Sequence, residues 1–255
     1  MLKRYWYKTE WSLLLPVAIL LVLGVIMIFS TSSIVGLSSY DDAYFFIKRH
    51  IVFLVLGIAA LFVGLWVPYT TYKKHINILA LGTVVLLILT LSPLGVTIGG
   101  AQRWLDLGFL RFQPVECAKF VTVVFIAMGL SRKQAILNVF IKGCFPLILG
   151  VLLLAVLLLL QPDLGNVAIM LAVVIVLMFL STMPLRHLIS LAVLAVVSIS
   201  IVIMSNPYQL KRVSAFLNPW EDPLGKSYHS IQSFIAIGSG GFFGLGLGES
   251  KLKYF

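Results

Sequence analysis

Seven long apolar runs constrain this chain more than any other feature of its sequence. A helix needs about twenty predominantly apolar residues to cross the hydrocarbon core of a bilayer. Because 60% of the residues are hydrophobic and only 11% are charged, compared with about half and about a quarter in soluble domains, the runs predict an integral membrane protein. The predicted spans are residues 11–30, 51–67, 76–94, 114–130, 144–160, 166–180 and 187–204.

The pattern of these runs predicts an all-α fold, namely a polytopic transmembrane helical bundle. No segment alternates apolar and polar residues as the strands of a membrane barrel do. No small-residue cleavage site cleanly follows the first run, so we interpret it as a span rather than a signal peptide. Cys117 and Cys144 have apolar neighbours, which favours core residues over a disulfide or metal pair. The histidines do not show metal-ligand spacing.

The distribution of Lys and Arg predicts the orientation, because cytoplasmic loops are enriched in these residues. With the N-terminus inside, the short inner loops carry nine basic residues and the short outer loops carry four. The segment after the last span adds five on the outer side, so the bias depends on the short loops. The net charge of +10 therefore indicates cytoplasmic loops and affinity for anionic lipid or pyrophosphate, with no nucleic-acid partner.

Residues 206–255 differ from the rest of the chain because they combine charges, turn formers and glycines. The segment Asn218–Gly225 predicts a compact polar turn, since each proline restricts the residue before it and lacks a backbone donor. Glu221 and Asp222 lie in this turn beside Trp220, a residue type enriched at membrane interfaces. Glycines interrupt the apolar run that follows, so an ordinary spanning helix is not expected there. On the predicted orientation this segment is a large extracellular loop.

Two groups of ionisable residues are candidates for chemistry. A carboxylate such as Asp222 at a water–lipid boundary can act as a general base or bind a divalent cation, and the alternative is an acidic turn exposed to water. Glu116 and Lys119 are three residues apart in the fourth predicted span, so they share a helix face. Ionisable groups inside a span are costly. This pair is therefore expected either to take part in function or to fix helix packing as an ion pair.

The loop before the fourth span supplies two cations and an aromatic residue. Arg103 and Arg111 are suited to binding phosphate oxygens, and Trp104 is suited to anchoring the loop at the interface. Interfacial anchoring alone is the alternative. Asp163 follows the fifth span, where we expect it to cap the next helix, with a place in the lining of the same outer cavity as the alternative.

On the predicted orientation the polar candidates share the outer side of the membrane. A cationic pocket with carboxylates at the outer leaflet fits a lipid-linked, negatively charged substrate. The residues alone name neither a sugar nor a reaction. The set comprises Arg103, Arg111, Asp163, Lys211, Arg212 and Asp222, with Glu116 and Lys119 in the outer half of the fourth span.

Three segments resemble signatures of a known family. They are GGAQRWLDLGFLRFQPVECAKF at residues 99–120, QPDLG at 161–165 and AFLNPWEDPLGKSYHSIQSFIAIGSGGFFGLGLGES at 215–250. Because these motifs are long, specific and correctly ordered, the chain is identified as a member of the SEDS (shape, elongation, division and sporulation) family. The last segment is more similar to the FtsW and sporulation branch than to RodA.

The resemblance implies an activity and a set of site residues. Family members are peptidoglycan glycosyltransferases of about ten spans that polymerise lipid II together with a class B penicillin-binding protein. The aspartate that is regarded as catalytic in the family matches Asp222. The loop and helix residues that are important in the family match Arg103, Trp104, Glu116 and Lys119. The predicted substrate-binding set contains these four residues and also Arg111, Asp163, Lys211, Arg212, Gln232 and Ser233.

Acid–base reasoning applied to the implied reaction gives each group a role. Asp222 takes the proton of an acceptor sugar hydroxyl, which attacks the anomeric carbon of the growing lipid-linked glycan. Undecaprenyl pyrophosphate leaves, and its charge is offset by Arg103, nearby cations or a divalent cation, Mg or Mn. No organic cofactor is expected. The alternatives are a lipid II flippase that is open to both leaflets and a scaffold that activates the transpeptidase.

The resemblance also implies a cellular setting and a domain organisation. We expect a multi-pass protein of the bacterial cytoplasmic (inner) membrane, with a cytoplasmic N-terminus and with divisome or elongasome membrane proteins as neighbours. Residues 1–255 would form one family domain, with helices in residues 11–205 and an extracellular catalytic loop and glycine-rich segment in 206–255. Since relatives continue into about three more spans, we expect this domain to be incomplete at its C-terminal end.

Overall fold

Helices make up most of the computed structural model, which describes residues 11–106, 108, 111–225, 227–246 and 248–250. A three-stranded sheet, β1 (Gly95–Ile98), β2 (Ala101–Asp106) and β3 (Arg111–Phe112), lies between the third and fourth helices in sequence. In chain order the helices are α1 (Trp11–Tyr40), α2 (Phe45–Trp66), α3 (Tyr69–Leu91), α4 (Pro114–Lys133), α5 (Phe140–Gly143), α6 (Phe145–Leu160), α7 (Leu164–Phe179), α8 (Leu185–Ser205), α9 (Pro207–Leu217) and α10 (Tyr228–Gly240), with 3-10 turns at Gln134–Ile136 and Pro219–Glu221.

The predicted helical membrane fold is confirmed, since each of the seven predicted spans is helical over most of its length. Five helices among the described residues are long and apolar enough to cross a bilayer, namely α1, α2, α3, α8 and α4 with its 3-10 extension. By contrast, α6 and α7 have 16 residues each. At a rise of about 1.5 Å per residue this is about 24 Å, less than the ~30 Å hydrocarbon core. The break at Gln161–Asp163 limits both helices.

The end of α1 differs from the prediction for an identifiable reason. The apolar run ends near Ser30, but the helix continues to Tyr40. The hydroxyl of Thr31 donates to the carbonyl of Met27 at 2.8 Å, and the next hydroxyl along the chain bonds four residues back in the same way. Hydroxyl groups that bond to the preceding turn can remain inside an apolar helix. The polar residues after the apolar run therefore do not end α1.

The small sheet was not predicted from the sequence. The strands β1 and β2 are antiparallel and are joined by Gly99 and Gly100, whose φ angles are +60° and +79°. A two-residue hairpin turn with two left-handed residues is the type that glycine favours. In the hairpin Trp104 is paired with Val96, and the register shifts after Val96. The sheet places Arg103 and Trp104 on a strand rather than in an irregular loop.

The chain divides into two compact units, which we describe separately. The core unit is Tyr69–Pro207, and the terminal unit is Met1–Pro68 together with Tyr208–Phe255. In the core unit, apolar side chains from α3, α4, α6 and α7 form one buried cluster that includes Leu87 and Ile126, both 0% exposed. The single domain that the sequence predicts over residues 1–255 stays a prediction.

The helices α4 and α6 approach each other closely at two glycines. A Cβ atom added at Gly129 would lie 2.1 Å from a methyl carbon of Leu147, and one added at Gly150 would lie 2.8 Å from the ring of Phe125. Each helix therefore places a large side chain against a glycine of the other. Small residues at such positions allow membrane helices to pack closely.

Candidate active site

The turn that contains Asp222 lines a polar cavity in the terminal unit. Residues of α9 spaced three or four apart share one helix face, and this face and the following turn line the cavity. The cavity volume is about 290 Å³. Its lining consists of Lys211, Ser214, Ala215, Asn218, Glu221, Asp222 and Ser227.

Hydrogen bonds tie the turn to α9. Pro219 occupies the start of the 3-10 helix and is buried. The backbone N–H of Ser227 donates to the carbonyl of Asp222 at 3.3 Å, and the hydroxyl of Ser227 donates to the carbonyl of Ala215 at 3.4 Å. The compact polar turn that the two prolines predict is therefore confirmed. Ser227 itself was not predicted as a site residue.

The side chain of Asp222 lies close to Gly225. A Cβ atom at residue 225 would lie 2.4 Å from both carboxylate oxygens of Asp222, closer than real Cβ atoms approach. The carboxylate thus lies directly over Gly225, and a larger residue there would displace the Asp222 side chain. From the sequence, Gly225 was predicted only as part of the turn. The signal for its role was present in the spacing of Asp222, Pro223 and Gly225.

The remaining predicted residues of the terminal unit do not line this cavity. The guanidinium of Arg212 lies 5.8 Å from the centre of the Tyr208 ring, a cation–π contact. Gln232 and Ser233 lie on α10, and the Ser233 hydroxyl donates to the carbonyl of His229 at 2.8 Å. Their predicted contact with substrate stays a prediction.

In the core unit, Arg103 and Asp163 come together although they are far apart in sequence. The Nε atom of Arg103 lies 3.6 Å from Oδ1 of Asp163, and Nη2 of Arg103 donates to the carbonyl of Pro162. The side chains are 21% and 6% exposed, so the pair is largely buried. The contact joins strand β2 to the break between α6 and α7.

The expectation that Asp163 caps the next helix is confirmed for its position but not for a side-chain hydrogen bond. Asp163 does occupy the position before α7, but its side chain makes no capping hydrogen bond. Its Oδ1 faces Arg103, and its Oδ2 accepts a hydrogen bond from Nδ2 of Asn166 at 2.8 Å. The carboxylate is used for pairing because a buried charge requires a partner.

The other predicted cations of the core unit are also paired with carboxylates. Nζ of Lys119 lies 2.8 Å from Oε1 of Glu116, and Nε of Arg111 lies 3.6 Å from Oδ2 of Asp106. Glu116 is in the first turn of α4, and its side chain is 58% exposed. Together with the pair of Arg103 and Asp163, these contacts make three ion pairs. The expected cationic pocket is therefore not formed by these three cations alone, because each has a carboxylate beside it.

The cavity around Asp222 offers a limited number of ligands to a metal ion. No cluster of three or more His, Cys, Asp or Glu side chains suited to a metal occurs among the described residues. Glu221 and Asp222 both line the cavity. Mg²⁺ is commonly held by one or two carboxylates together with substrate phosphates. The two carboxylates thus fit a cation that is shared with a phosphorylated substrate.

Known proteins match the chain over almost its whole length. The family model FTSW_RODA_SPOVE, described as "Cell cycle protein", matches residues 11–255. The chain is 38% identical over 245 residues to a probable peptidoglycan glycosyltransferase FtsW of Geobacter sp. (strain M18), covering 95% of this chain and 66% of that protein. It is 37% identical over 252 residues to stage V sporulation protein E of Bacillus subtilis (strain 168), covering 97% and 69%. The chain therefore spans about two thirds of the length of these relatives.

Solved structures share both the fold and part of the sequence. A structure described as "Structural coordination of polymerization and crosslinking by a peptidoglycan synthase complex" matches with a TM-score of 0.68 and 34% identity, over 92% of this chain and 67% of that chain. The crystal structure of Thermus thermophilus rod shape determining protein RodA matches with a TM-score of 0.56 and 30% identity, over 74% and 60%. With the family match over residues 11–255, these findings show that the chain belongs to the FtsW, RodA and SpoVE family of cell cycle proteins.

Proposed function

We propose that this chain provides the catalytic turn of a peptidoglycan glycosyltransferase, which polymerises lipid II into glycan strands at the outer face of the cytoplasmic membrane. The observation that carries the proposal is the carboxylate of Asp222, which lies over Gly225 in a polar cavity that also contains Lys211. The names of the FtsW relatives support the reaction class.

In the proposed reaction Asp222 acts as a general base. Its carboxylate accepts the proton of an acceptor sugar hydroxyl, and the hydroxyl oxygen forms a bond to the anomeric carbon of the growing lipid-linked chain. The bond between that carbon and the pyrophosphate oxygen breaks, and undecaprenyl pyrophosphate leaves with the electron pair. The reaction needs no covalent intermediate on the protein.

Cations in the cavity stabilise the leaving pyrophosphate. Lys211 lines the cavity, and its positive charge offsets negative charge as it develops. A divalent cation, Mg or Mn, supplies further neutralisation when bound, and Glu221 and Asp222 are the residues that would hold it. The wider substrate-binding set of the proposal is Arg103, Trp104, Arg111, Glu116, Lys119, Asp163, Lys211, Arg212, Gln232 and Ser233.

The proposal includes an orientation and a partner. The N-terminus lies in the cytoplasm of a bacterial cell, and the turn at Asp222 lies outside the inner membrane, where lipid II is polymerised. A class B penicillin-binding protein crosslinks the product, and divisome or elongasome membrane proteins are the wider neighbours. The description of one structural relative, which couples polymerization with crosslinking in a synthase complex, supports the transpeptidase partner.

Paired substitutions in the catalytic turn test the proposal. Asp222→Asn keeps the size of the side chain and removes the base, so polymerisation of lipid II should fall by about 10²–10⁴-fold. Glu221→Gln changes a carboxylate of the same cavity and should retain much of the activity. The measurement is glycan length on gels, using the purified full-length gene product with its transpeptidase partner.

Membrane insertion and partner binding should be unchanged in both variants. Polymerisation by Asp222→Asn at the parental rate would show that the catalytic assignment is wrong. In that case, transfer of lipid II between the leaflets of vesicles would favour a flippase, and loss of transpeptidase activation alone would favour a scaffold.

A further inference from the structure

Hydrogen bonds and an ion pair connect three separate segments of the core unit at one place. The segments are the C-terminal end of α3, the hairpin of β1 and β2, and the break between α6 and α7. We call the side chains that make these contacts the polar latch. The polar latch consists of Thr90, Gln102, Arg103, Gln161 and Asp163.

The innermost part of the polar latch is a closed ring of hydrogen bonds. Nε2 of Gln161 donates to the carbonyl of Leu87 at 3.0 Å and to the hydroxyl oxygen of Thr90 at 2.5 Å. The hydroxyl of Thr90 donates to the same Leu87 carbonyl at 2.6 Å. Gln161 is 2% exposed, and Thr90 and Leu87 are 0% exposed. Each amide hydrogen of Gln161 therefore has a partner in an apolar interior, where an unpaired one would be strongly unfavourable.

The outer part of the polar latch attaches the hairpin to the same place. Nε2 of Gln102 donates to the carbonyls of Ser92 and Gly95, at 2.8 and 3.0 Å. A Cβ atom at Gly95 would lie 2.0 Å from the carbonyl oxygen of Thr90, so the first strand packs directly on the end of α3. Gln102 is followed by Arg103, whose guanidinium is held at the helix break.

The two parts meet because Gln161 and Asp163 belong to the same break. Gln161 fixes the break to α3, and Asp163 fixes Arg103 to the break. The hairpin is thus attached through Gln102 to Ser92, just after the end of α3, and through Arg103 to the helix break. Two attachments at different points prevent the hairpin from rotating about either one. The Arg103 guanidinium contacts the break at Pro162 and Asp163, and Gln161 ties the same break to α3.

We propose that Thr90 and Gln161 are positioning residues, which hold the hairpin and the Arg103–Asp163 pair in one arrangement for binding the pyrophosphate-linked substrate. This inference rests on the proposed function. It adds two buried residues that act through Asp163 and Arg103 rather than by contact with substrate. The hairpin carries Arg103 and Trp104, so a loosened latch lowers substrate affinity more than turnover.

Hydrogen exchange tests the structural half of the proposal. Thr90→Val keeps the shape of the side chain and removes the hydroxyl that Gln161 uses. Amide exchange of residues 95–106, measured by mass spectrometry in nanodiscs, should accelerate about tenfold or more, because local opening exposes the hairpin. Thr90→Ser keeps the hydroxyl and should keep exchange slow.

Another buried threonine gives a matched control. Thr122 is 1% exposed, and its hydroxyl has no hydrogen-bond partner among the described residues. Thr122→Val should therefore leave hairpin exchange unchanged. If Thr90→Val does not yield folded protein, Gln102→Met loosens the half-buried outer contacts instead and should give the same acceleration. Parental exchange in these latch variants, or equal acceleration in the Thr122 variant, would overturn the proposal.

Kinetics test the functional half of the proposal with the full-length protein. The lipid II KM of Thr90→Val should rise several-fold while kcat changes little, and Thr90→Ser should restore KM. If Thr90→Val accelerates hairpin exchange but leaves KM unchanged, the hydrogen bonds between Gln161 and Thr90 contribute to stability only, and the positioning role is overturned. If the parent protein does not polymerise lipid II, the proposed function fails, while the exchange experiment still decides whether the polar latch holds the hairpin.

Discussion

Exposure of the ion pairs in the core unit predicts how strongly the two charges in each pair are coupled. The side chains of Arg103 and Asp163 are 21% and 6% exposed, whereas those of Lys119 and Glu116 are 29% and 58% exposed. Removing one partner of a fully buried pair costs about 3–5 kcal/mol, because the other charge stays desolvated. Exposed pairs on one helix contribute about 0.2–1 kcal/mol. The buried pair should therefore show the larger coupling free energy.

The structure sets the expected values for each pair. For Lys119 and Glu116 we expect a coupling of roughly 0.5 kcal/mol, because the two residues are three apart on one helix and more than half of the glutamate side chain is exposed. Glu116→Gln alone should cost somewhat more, since an acidic residue in the first turn interacts with the helix dipole by about 0.3–1 kcal/mol. For Arg103 and Asp163 we expect roughly 2–3 kcal/mol, below the fully buried range because the arginine keeps some exposure.

Double-mutant cycles measure these couplings directly. The substitutions are Asp163→Asn with Arg103→Met for the buried pair, and Glu116→Gln with Lys119→Met for the exposed pair. The free energy of unfolding is obtained by SDS titration in mixed micelles. Thiol labelling of Cys144, which is 0% exposed, reports the loss of the core when the other cysteine is replaced by alanine.

A third pair provides the control for distance. The distance from the arginine Nε atom to the nearest carboxylate oxygen is 3.6 Å both for Arg111 with Asp106 and for Arg103 with Asp163. The side chains of Arg111 and Asp106, however, are 52% and 37% exposed. If burial decides the coupling, this pair should give less than about 1 kcal/mol. Equal couplings for the two pairs would contradict the reasoning, because they differ in burial and not in distance. Strictly additive effects for Glu116 and Lys119 would show that those two charges do not interact.

Three further predictions concern orientation, packing and pH. An impermeant thiol reagent should label Asp222→Cys but not Lys73→Cys in intact cells with an otherwise cysteine-free background; the reverse pattern would contradict the proposed orientation. Gly129→Ala should lower the free energy of unfolding by about 1–3 kcal/mol through overpacking, whereas Gly82→Ala, with nothing within 4 Å of its added Cβ, should not. Hydrogen bonds from the Lys48 ammonium and from the backbone N–H of Tyr44 hold the pKa of Asp42 below its ordinary value of 3.8. This carboxylate pairing should therefore persist just below pH 3.8 and be lost as pH falls through the lowered pKa, as NMR titration would show.

Hydropathy predicted the helices well because burial in lipid requires long apolar helices and few other structures. It did not predict the hairpin of β1 and β2, because those strands are short and one of them carries polar side chains. Gly99 and Gly100 were a usable signal, since adjacent glycines favour the turn that joins such strands. The end of α1 was missed for another reason, namely that Thr31 satisfies its hydroxyl within the helix.

The sequence predicted which residue types the site needs but not how they pair. Asp222 could be placed on a turn because prolines and a glycine surround it. The contact between Arg103 and Asp163 depends on the tertiary arrangement of a strand and a helix break, and no local pattern encodes it. For the same reason Gln161 was seen only as part of a break, whereas its buried contact with Thr90 needs the packing of α3 against that break.

Pairing also changes how a pyrophosphate group can be bound. In the core unit, each of the three predicted cations already has a carboxylate partner, so these pairs offer hydrogen-bond donors rather than net positive charge. In the cavity around Asp222, the described lining residues contribute one cation, Lys211, and two carboxylates. A divalent cation held by Glu221 and Asp222, as proposed, would supply positive charge for a pyrophosphate bound at this turn.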